Sequence, residues 1–567
     1  MISFRKIIFP PLAALLALSS AICQDRENPT PSPDSSLVAF TRGGDLFVSQ
    51  AGGDGERRLT FDGSGLVRNG YASWVYYEEI FGRPSHYRAF WWSPDGKKIA
   101  FYRFDDTEVP MFPIYSPFGQ DGKLSRTRYP KAGEPNPKVR IGFVDVADGG
   151  LVWADFDENE DQYFGTPFWG PDGRTLFVGR EPRVQNMLTL YAVSSHDGSK
   201  KAVYHEESPT WLDWIDGMLF TSRGFYMARS FEGNWQDIYF LSYEGKLERL
   251  TRDSFWRIKF LEVDKKGRVL FSAHRGGSLA AAEYSLDRKG RIRELKPSQE
   301  KTSSGAEVVY ITTSDSLRLP GLIVYPKDFD PTGKYPVHVD IYGGPDTPMV
   351  NLKRRIDPWW AENGIIELVA DCRAAGHNGK RGLDSVYRRL GFYEERDFVE
   401  WGRWLQGLPF VDGEKIGVEG FSFGGTMAAA LVMKHPDVFH YGIAGGGVYD
   451  WALYDTHYTE RFMGTPESNP EGYASSRVIS FVDDYPAVYP DSVGDAAAVA
   501  PVMLMLTHGT GDDNVHFQNT LQLVDALQRA GKAFELMIYP DALHGYRGPQ
   551  HEHDEAAHHA FWLKYLK

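Results

Sequence analysis

The sequence predicts a β-propeller domain followed by an α/β domain, and two observations lead to this fold class. Up to about residue 300, short apolar strands recur after turns that carry Pro-Asp or Asp-Gly, and beyond it buried strands alternate with helices. Repeated short strands with regular turns are typical of propeller blades, and strand–helix alternation is typical of a parallel sheet covered by helices. The chain of 567 residues has room for roughly two to four domains, which excludes a single small binding module.

Composition narrows the class of partner. Aspartates and glutamates number 76 against 62 lysines and arginines, a net charge of −14, and 42% of the residues are hydrophobic. An excess of negative charge repels polyanions, so no nucleic acid is expected as a partner. The hydrophobic content is that of an ordinary globular chain, which excludes a protein with several membrane spans.

Residues 1–23 are predicted to be a secretory signal peptide. Arg5 and Lys6 precede an apolar run at residues 7–18, and small residues follow at 19–21. A membrane anchor is the alternative, but two prolines interrupt the run and leave it too short to span a bilayer. No later stretch is long enough to span one, so we expect a periplasmic or secreted protein with no membrane span in the mature chain.

The small number of cysteines is consistent with a periplasmic location. Cys23 and Cys372 are the only two in the chain, so cleavage at or after Cys23 would leave one thiol and no disulfide. Export without disulfides suits a bacterial periplasm. A lipid anchor on Cys23 is a second alternative, which is less favoured because the preceding Ile22 is bulkier than the small residue that such sites usually carry.

Residues 24–300 are predicted to form the propeller. The Pro-Asp turn has three strong copies, at residues 32–34, 93–96 and 171–173. A second pattern joins Asp45 to the Arg-Leu-Thr of residues 58–60, and it repeats between Asp237 and residues 249–251. A β-sandwich with ordinary hairpins is the alternative, but two separate recurring patterns favour propeller blades.

Residues 301–567 are predicted to form the second domain. Strands are expected at residues 335–342, 365–369, 415–419, 502–506 and 534–539, with helices at 397–405 and 424–435. In such a parallel sheet the site lies at the carboxyl ends of the strands, so the residues of the site should come just after strands.

One residue in such a position is Ser422, the candidate nucleophile. It is the middle residue of a Gly-Phe-Ser-Phe-Gly string at 420–424, between a predicted strand and an alanine-rich helix. Glycines on both sides permit the sharp turn that holds a serine oxygen above the sheet. The string alone is weak evidence in a chain with 58 glycines, and its strand and helix context strengthens it.

Two later residues complete a catalytic triad. A serine hydroxyl needs a base, and the base needs an acidic partner that fixes its tautomer. Asp512 follows the strand that ends near Leu506, and His544 follows the strand at residues 536–539. Serine, then aspartate, then histidine, each after a strand, is the chain order of an α/β-hydrolase. Ser422, Asp512 and His544 are therefore the predicted triad of an α/β-hydrolase domain.

An oxyanion hole is also expected, usually formed by the amide after the nucleophile and a second donor. The backbone N–H of Phe423 supplies the first donor, and the phenol of Tyr342, beside a Gly-Gly-Pro turn, is the candidate for the second. No cofactor and no metal is expected. The histidines at 551, 553, 558 and 559 lack the i, i+4 spacing of a helical metal site, and no phosphate-binding glycine loop is present.

The motifs around these residues resemble those of a known family. Seven segments carry the likeness, at residues 74–81, 104–110, 128–133, 342–345, 420–425, 454–461 and 508–517. From about residue 30 to its end, the chain is similar to the prolyl oligopeptidase family of serine peptidases, and within it to the dipeptidyl peptidase IV subfamily. The resemblance implies an exopeptidase that removes dipeptides from the free amino termini of peptides whose second residue is proline or, less well, alanine.

The resemblance also implies how the substrate is held. Glu78 and Glu79 would bind its amino terminus, whose ammonium group is charged at neutral pH. Adjacent residues point apart on a strand, so this segment must be helical or kinked for both carboxylates to converge. Asn514 would donate a hydrogen bond to the carbonyl of the first substrate residue. The proline would lie in a pocket of aromatic and apolar side chains formed by Tyr454, Tyr458, Trp451, Val448 and Val515.

The chain departs from this family in two respects. Relatives carry further residues before the point where this mature chain begins, including the first blades and an arginine that anchors the substrate, and no residue here matches that arginine. We therefore expect a propeller that lacks the first blades. Phe423 stands where many relatives have tyrosine, which keeps the ring but removes a hydroxyl, so an altered rate or preference is expected. Relatives are commonly dimeric, which makes a homodimer one expected assembly.

Two other functions stay open. A prolyl tripeptidyl aminopeptidase of the same family would use the same triad with a slightly deeper subsite for the amino terminus. A propeller binding protein with idle catalytic machinery is the alternative from another class. The missing blades favour this last interpretation, whereas the complete triad and its pocket argue against it.

Overall fold

A computed structural model describes residues 25–230, 232–298, 301–302, 305–489 and 501–567 of the chain. The predicted signal peptide at residues 1–23, together with Cys23, lies outside the described residues. Within the described ranges, no helix is both long enough and apolar enough to cross a bilayer.

Five small antiparallel sheets follow one another in the described part of the chain between residues 27 and 296. The first contains β1 (Glu27–Pro31), β2 (Leu37–Arg42), β3 (Asp45–Gln50) and β4 (Arg57–Arg58). The second contains β5 (Val67–Asn69), β6 (Phe90–Trp92), β7 (Lys98–Asp105), β10 (Lys138–Asp145) and β11 (Leu151–Trp153). Between β7 and β10, the strands β8 (Met111–Ser116) and β9 (Lys123–Arg128) pair with each other as a separate ribbon.

The other three sheets have the same antiparallel order. The third contains β12 (Gln162–Phe164), β13 (Phe168–Trp169), β14 (Thr175–Pro182), β15 (Met187–Ser194) and β16 (Lys200–Glu207). The fourth contains β17 (Leu219–Thr221), β18 (Gly224–Arg229), β19 (Asp237–Ser242) and β20 (Leu247–Arg249). The fifth contains β21 (Phe255–Val263), β22 (Val269–Arg275), β23 (Ala282–Leu286) and β24 (Ile292–Lys296).

The second recurring pattern of the sequence corresponds to a repeated contact within these sheets. Asp45, at the start of β3, accepts a hydrogen bond from Thr60 Oγ1 at 2.6 Å and pairs with the arginine two positions before that threonine. Asp237, at the start of β19, does the same with Thr251 at 2.8 Å and with the corresponding arginine. Both aspartates are buried, so each needs these partners to offset its desolvation. The predicted propeller blades are thereby confirmed.

Neighbouring blades share apolar cores. Each of four clusters contains buried side chains from two consecutive sheets, for example Leu46 with Phe90, Tyr102 with Phe164, Leu188 with Phe225, and Ile238 with Phe255. Side-chain burial between sheets therefore helps to hold neighbouring blades together, in addition to the backbone hydrogen bonds that pair strands within each sheet.

The second domain is built on an eight-stranded sheet in the order β25-β26-β28-β27-β29-β30-β31-β32. Its strands are β25 (Glu307–Thr312), β26 (Arg318–Val324), β27 (Tyr335–Ile341), β28 (Ile366–Ala370), β29 (Val411–Phe421), β30 (Tyr441–Gly445), β31 (Met503–Gly509) and β32 (Glu535–Tyr539). β26 pairs antiparallel with β25 and β28, and all other pairs are parallel. The predicted parallel sheet of an α/β-hydrolase is confirmed.

Eight helices connect these strands or follow them within the described residues. They are α1 (Pro358–Glu362), α2 (Gly379–Asp384), α3 (Phe392–Gln406), α4 (Phe423–Lys434), α5 (Thr456–Met463), α6 (Pro470–Ser476), α7 (Gln518–Arg529) and α8 (Pro549–Tyr565). α4 is buried over nearly its whole length because it packs on β29 and β30. The parallel strands end at one edge of the sheet, and the loops that leave this edge carry the predicted triad.

Candidate active site

Ser422 lies at the sharp turn between β29, which ends at Phe421, and α4. Its φ is +61° and its ψ is −121°, a strained conformation for a residue with a side chain. A side-chain carbon on Gly420 would lie 2.4 Å from the Gly424 carbonyl oxygen, and one on Gly424 would lie 2.5 Å from the Ile341 oxygen. Only glycine fits on either side of Ser422, which is the reason that the sequence motif has this form.

Asp512 and His544 meet as predicted, although 32 positions separate them. His544 Nδ1 lies 2.7 Å from Asp512 Oδ2, and the other carboxylate oxygen accepts the backbone N–H groups of Asn514 and Val515 at 2.9 and 3.0 Å. Burial opposes ionisation of Asp512, but His544 and the neighbouring His508 hold the pKa of this carboxyl well below its usual range. An ionised Asp512 keeps the proton on His544 Nδ1, so Nε2 is the nitrogen available as a base.

Tyr342 and Phe423 lie beside the nucleophile. The Tyr342 hydroxyl lies close enough to the Ser422 side chain for that side chain to lower the pKa of the phenol, but burial has the larger effect and raises this pKa. Tyr342 is therefore a neutral donor at neutral pH. Phe423 is the first residue of α4, where backbone N–H groups lack partners within the helix and the helix dipole favours negative charge. Its ring centroid lies 6.1 Å from that of Tyr342 and 5.4 Å from that of Trp451.

Glu78 and Glu79 lie in a single wide helical turn, residues Tyr76–Ile80, in which the Phe81 N–H donates to the Tyr76 carbonyl at 2.8 Å. The expectation that this segment is helical rather than extended is confirmed. Such i→i+5 turns are frequent at functional sites because they redirect side chains. Both glutamates face the same cavity as Ser422.

The two carboxylates have different surroundings. Glu78 Oε1 accepts from Asn514 Nδ2 at 3.0 Å, and its other oxygen lies 2.6 Å from Arg83 Nε. Burial raises the pKa of Glu78, and the Arg83 charge opposes this effect. Burial raises the pKa of Glu79 well above its usual value, and the charges of Asp455 and Glu78 add to this effect. The pair therefore consists of one carboxylate with a cationic partner and one that is protonated more readily.

The aromatic pocket is only partly exposed to the cavity. The Tyr454 and Tyr458 rings are 5.5 Å apart at a steep angle, and Trp451 lies parallel to Tyr458 at 6.1 Å. Tyr454 donates to Asn514 Oδ1 at 2.7 Å. Of the six residues predicted to contact the first two residues of a substrate in this region, Tyr454, Tyr458 and Asn514 line the cavity, whereas Trp451, Val448 and Val515 are buried and do not line it.

Many of these groups line one cavity of about 810 Å³ between the two domains. Its wall includes the candidate nucleophile Ser422, the candidate base His544, the Tyr342 phenol and the two glutamates. A cavity of this size accommodates a short peptide segment. Within the described chain, no three His, Cys, Asp or Glu side chains are grouped so that they could hold a metal ion. The arrangement can perform acyl transfer on a substrate that carries a cationic group near the scissile bond.

Sequence reasoning missed two residues of this site. Arg83 contacts Glu78 and also Asp513, at 3.0 Å, which follows Asp512 in the other domain. Asp455, the residue before α5, is fully buried close enough to Glu79 to raise its pKa. The sequence shows Arg83 a few positions after the glutamates. It does not show that Asp513, 430 positions away, is the partner of Arg83.

Two family models together match most of the chain. Residues 17–349 match the model described as the dipeptidyl peptidase IV (DPP IV) N-terminal region, and residues 353–567 match the model of the prolyl oligopeptidase family. The first match contains Glu78 and Glu79, and the second contains Ser422, Asp512 and His544.

The chain is also similar to individual curated relatives and to a solved structure. A Talaromyces marneffei protein named "Probable dipeptidyl-aminopeptidase B" is 29% identical over 90% of this chain, and one of the same name from Uncinocarpus reesii is 28% identical over 91%. The chain spans 65% and 64% of the length of these curated relatives. The crystal structure of Porphyromonas gingivalis dipeptidyl peptidase 4 is similar with a TM-score of 0.86 and 27% identity, over 95% of this chain and 82% of that one.

Proposed function

Because the chain belongs to the prolyl oligopeptidase family and its amino-terminal part matches the dipeptidyl peptidase IV region, we propose that it is a serine exopeptidase. It releases dipeptides from the free amino termini of peptides whose second residue is proline or alanine. One observation carries this proposal: Ser422, His544, Glu78 and Glu79 line the same cavity. The nucleophile and the candidate amino-terminus site are thus open to one bound peptide.

The chemistry follows from the groups that line the cavity together with Ser422. His544 Nε2 takes the hydroxyl proton as Ser422 Oγ attacks the carbonyl carbon of the second substrate residue. The Tyr342 phenol and the Phe423 N–H stabilise the oxyanion. His544 then gives the proton to the leaving amine, and the dipeptide remains bound as an acyl ester of Ser422. Water, activated by the same imidazole, releases the dipeptide.

The glutamate pair supports an exopeptidase rather than an endopeptidase. A peptide without a free amino terminus would leave two largely buried carboxylates without a cationic partner from the substrate, which costs binding free energy. An ammonium group supplies that partner, and it favours the ionised form of Glu79. Selectivity for a free amino terminus is therefore a consequence of burial at this turn.

The pocket supports proline as the second residue. The aromatic side chains of Tyr454 and Tyr458 line the cavity, and a pyrrolidine ring is flat and carries no donor. Such a wall favours proline by fit and desolvation, and alanine fills it incompletely, which costs about 1–3 kcal/mol for a pocket of this kind.

Three chromogenic substrates test the proposed function: free Gly-Pro, free Ala-Ala-Pro and amino-terminally blocked Gly-Pro. We expect cleavage of free Gly-Pro alone, and its loss in Ser422→Ala. The matched control is Ser475→Ala, an exposed serine of α6 outside the cavity wall. Preference for Ala-Ala-Pro would establish the tripeptidyl aminopeptidase instead. A folded protein that cleaves none of the three would establish the binding protein with idle catalytic machinery.

We also propose that the protein is exported to the periplasm or secreted, and that it forms a homodimer. The signal pattern at residues 1–23 supports export, and the dimeric state of its family supports the assembly. Mass spectrometry of the amino terminus after expression tests the first proposal, because an uncleaved chain starting at Met1 would contradict it. Light scattering after gel filtration tests the second, because the mass of a monomer would contradict it.

A further inference from the structure

A second cavity, of about 670 Å³, lies where the fourth and fifth blades meet the eight-stranded domain. None of its lining residues lines the cavity of Ser422. The propeller contributes the loop at Asn234 and the turn that begins at Arg275, and the other domain contributes Arg318 and Arg381. We call this space the arginine cavity, after Arg275, Arg318 and Arg381.

The charge of this wall is opposite to that of the chain. The wall contains three arginines and, among the described residues, neither aspartate nor glutamate, although the whole chain carries a net charge of −14. Cationic side chains around one space attract anions from solution. A bound anion would also reduce the repulsion between those that lack a carboxylate partner.

Two of the three guanidinium groups are available to a ligand. Arg275 is already paired with Asp253 through two contacts, of 3.0 and 2.8 Å. Within the described part of the chain, neither Arg318 nor Arg381 forms an ion pair with a carboxylate, and neither has a contact left unassigned. Their positive charges are therefore not neutralised by described side chains.

The structure holds the guanidinium of Arg318 and the backbone of Arg381 in place. The Arg318 guanidinium lies 3.5 Å from the centre of the Tyr310 ring, which fixes its plane and leaves the N–H groups at its edge free to donate. The backbone N–H of Arg381 donates to Asn234 Oδ1 at 2.6 Å, across the domain boundary. Prior positioning of donors lowers the entropy lost when a ligand binds.

We propose that the arginine cavity binds an anion that carries two or more phosphate or carboxylate groups. Two separate guanidinium groups match two charged groups of the ligand, and guanidinium binds both phosphate and carboxylate through paired hydrogen bonds. The volume is that of a site for an organic ligand, about 300–1,000 Å³, and is much larger than a single inorganic phosphate requires. Both of these guanidinium groups belong to the hydrolase domain, and the loop at Asn234 of the propeller forms another part of the wall.

Pyrophosphate and citrate are the probes, titrated calorimetrically into the full chain at matched ionic strength set with sodium chloride. The test variant is Arg318→Gln/Arg381→Gln. The control variant, Arg291→Gln/Arg529→Gln, removes two charges from exposed arginines outside this wall. Circular dichroism and thermal melting without anion establish that each variant is folded.

We expect the wild-type protein to bind one equivalent of at least one probe and to melt at a higher temperature with it. The test variant should bind about tenfold more weakly or worse, since it loses charge-assisted hydrogen bonds, and the control variant should bind like the wild type. Binding of pyrophosphate alone identifies a phosphate ligand, and binding of citrate alone identifies a carboxylate ligand. Equal affinity in all three proteins, or no saturable binding to the wild type, overturns the proposal.

Discussion

Arg83 of the propeller domain and Asp513 of the hydrolase domain form an ion pair of 3.0 Å between positions 430 residues apart. The same guanidinium holds Glu78 at 2.6 Å. Asp513 lies between the predicted triad residue Asp512 and the predicted substrate contact Asn514. Arg83 therefore connects the turn that carries the glutamates to the loop that carries the triad acid.

Replacing Arg83 by glutamine should weaken binding of substrates with a free amino terminus. Glu78 would lose its cationic partner, so its pKa, already raised by burial, would rise further. We expect KM to rise about tenfold, the loss of one charge-assisted contact, while kcat changes little. The acidic limb of the kcat/KM profile should move to higher pH because Glu78 then ionises at higher pH.

The controls for this experiment lie in the same loop. Arg83→Lys should restore part of the affinity, since it keeps the charge. Arg88→Gln should resemble the wild type, because the Arg88 guanidinium donates to Thr30 Oγ1 at 3.4 Å and forms no ion pair with a described carboxylate. An unchanged pH profile in Arg83→Gln would contradict the role assigned to this residue.

Tyr342→Phe tests the oxyanion hole. The phenol contacts the Ser422 side chain, so its removal should lower kcat about 100- to 1,000-fold and change KM little, as expected for a donor that acts in the transition state. Steady-state kinetics on free Gly-Pro measure both constants. Tyr115→Phe, at an exposed position of β8, is the control. A higher KM with normal kcat would show instead that Tyr342 contributes to substrate binding.

Glu79 should release a proton when substrate binds. Burial keeps the pKa of its carboxyl well above the usual value in the free protein, and a bound ammonium favours the ionised form. KM should therefore fall as pH rises through the pKa of Glu79, until the substrate amine itself loses its proton at a pH of about 8.

Calorimetry on Ser422→Ala measures this proton directly. Peptide binding is followed in buffers of different ionisation enthalpy, and the slope gives the number of protons released. We expect Ser422→Ala to release protons when the peptide binds. The double variant Ser422→Ala/Glu79→Gln should release none. Equal release in both proteins would show that another group loses the proton.

His338 should make stability fall with rising pH. It lies between Glu367, 2.5 Å from Nδ1, and Glu419, 3.1 Å from Nε2. Burial opposes protonation, but these two carboxylates raise the pKa of His338 to about 10. The resulting stabilisation is complete below the unfolded-state pKa of about 6.5 and is lost as pH rises through about 10.

Thermal melting between these two pH values checks this expectation. His338→Gln should be less stable at pH 6.5 and should lose less stability on going to higher pH than the wild type. His205→Gln, at an exposed position of β16, should follow the wild-type curve. Parallel curves for His338→Gln and the wild type would contradict the assignment.

Local patterns in the sequence were sufficient for some features of the molecule. The turn around Ser422 could be predicted because a glycine string stands between an apolar run and an alanine-rich segment, and the structure shows that backbone atoms leave no room for a side chain at Gly420 or Gly424. A helical or kinked segment at Glu78 could be predicted because the family resemblance requires two adjacent carboxylates to converge, and the structure has a helical turn there. Both inferences depend on residues close together in the chain.

Contacts between distant segments could not be predicted. The pairing of Arg83 with Asp513, and the buried Asp455 behind Glu79, depend on how the two domains meet. The placement of Trp451, Val448 and Val515 behind the cavity wall depends on side-chain directions that an amino-acid pattern does not contain. The ribbon of β8 and β9 was also missed, because β9 is mostly polar and lacks the alternation of a half-buried strand. The strand β30 was missed because a short apolar run does not distinguish such a strand from a loop.

The central claim is that the cavity binds a free amino terminus and cleaves the chain two residues from it. Mass spectrometry of the products from one peptide that begins Gly-Pro, and from the same peptide with an acetylated amino terminus, tests this most directly. The account predicts loss of the Gly-Pro dipeptide from the free peptide and no change in the acetylated one. Release of a tripeptide, or cleavage of the acetylated peptide, would contradict it.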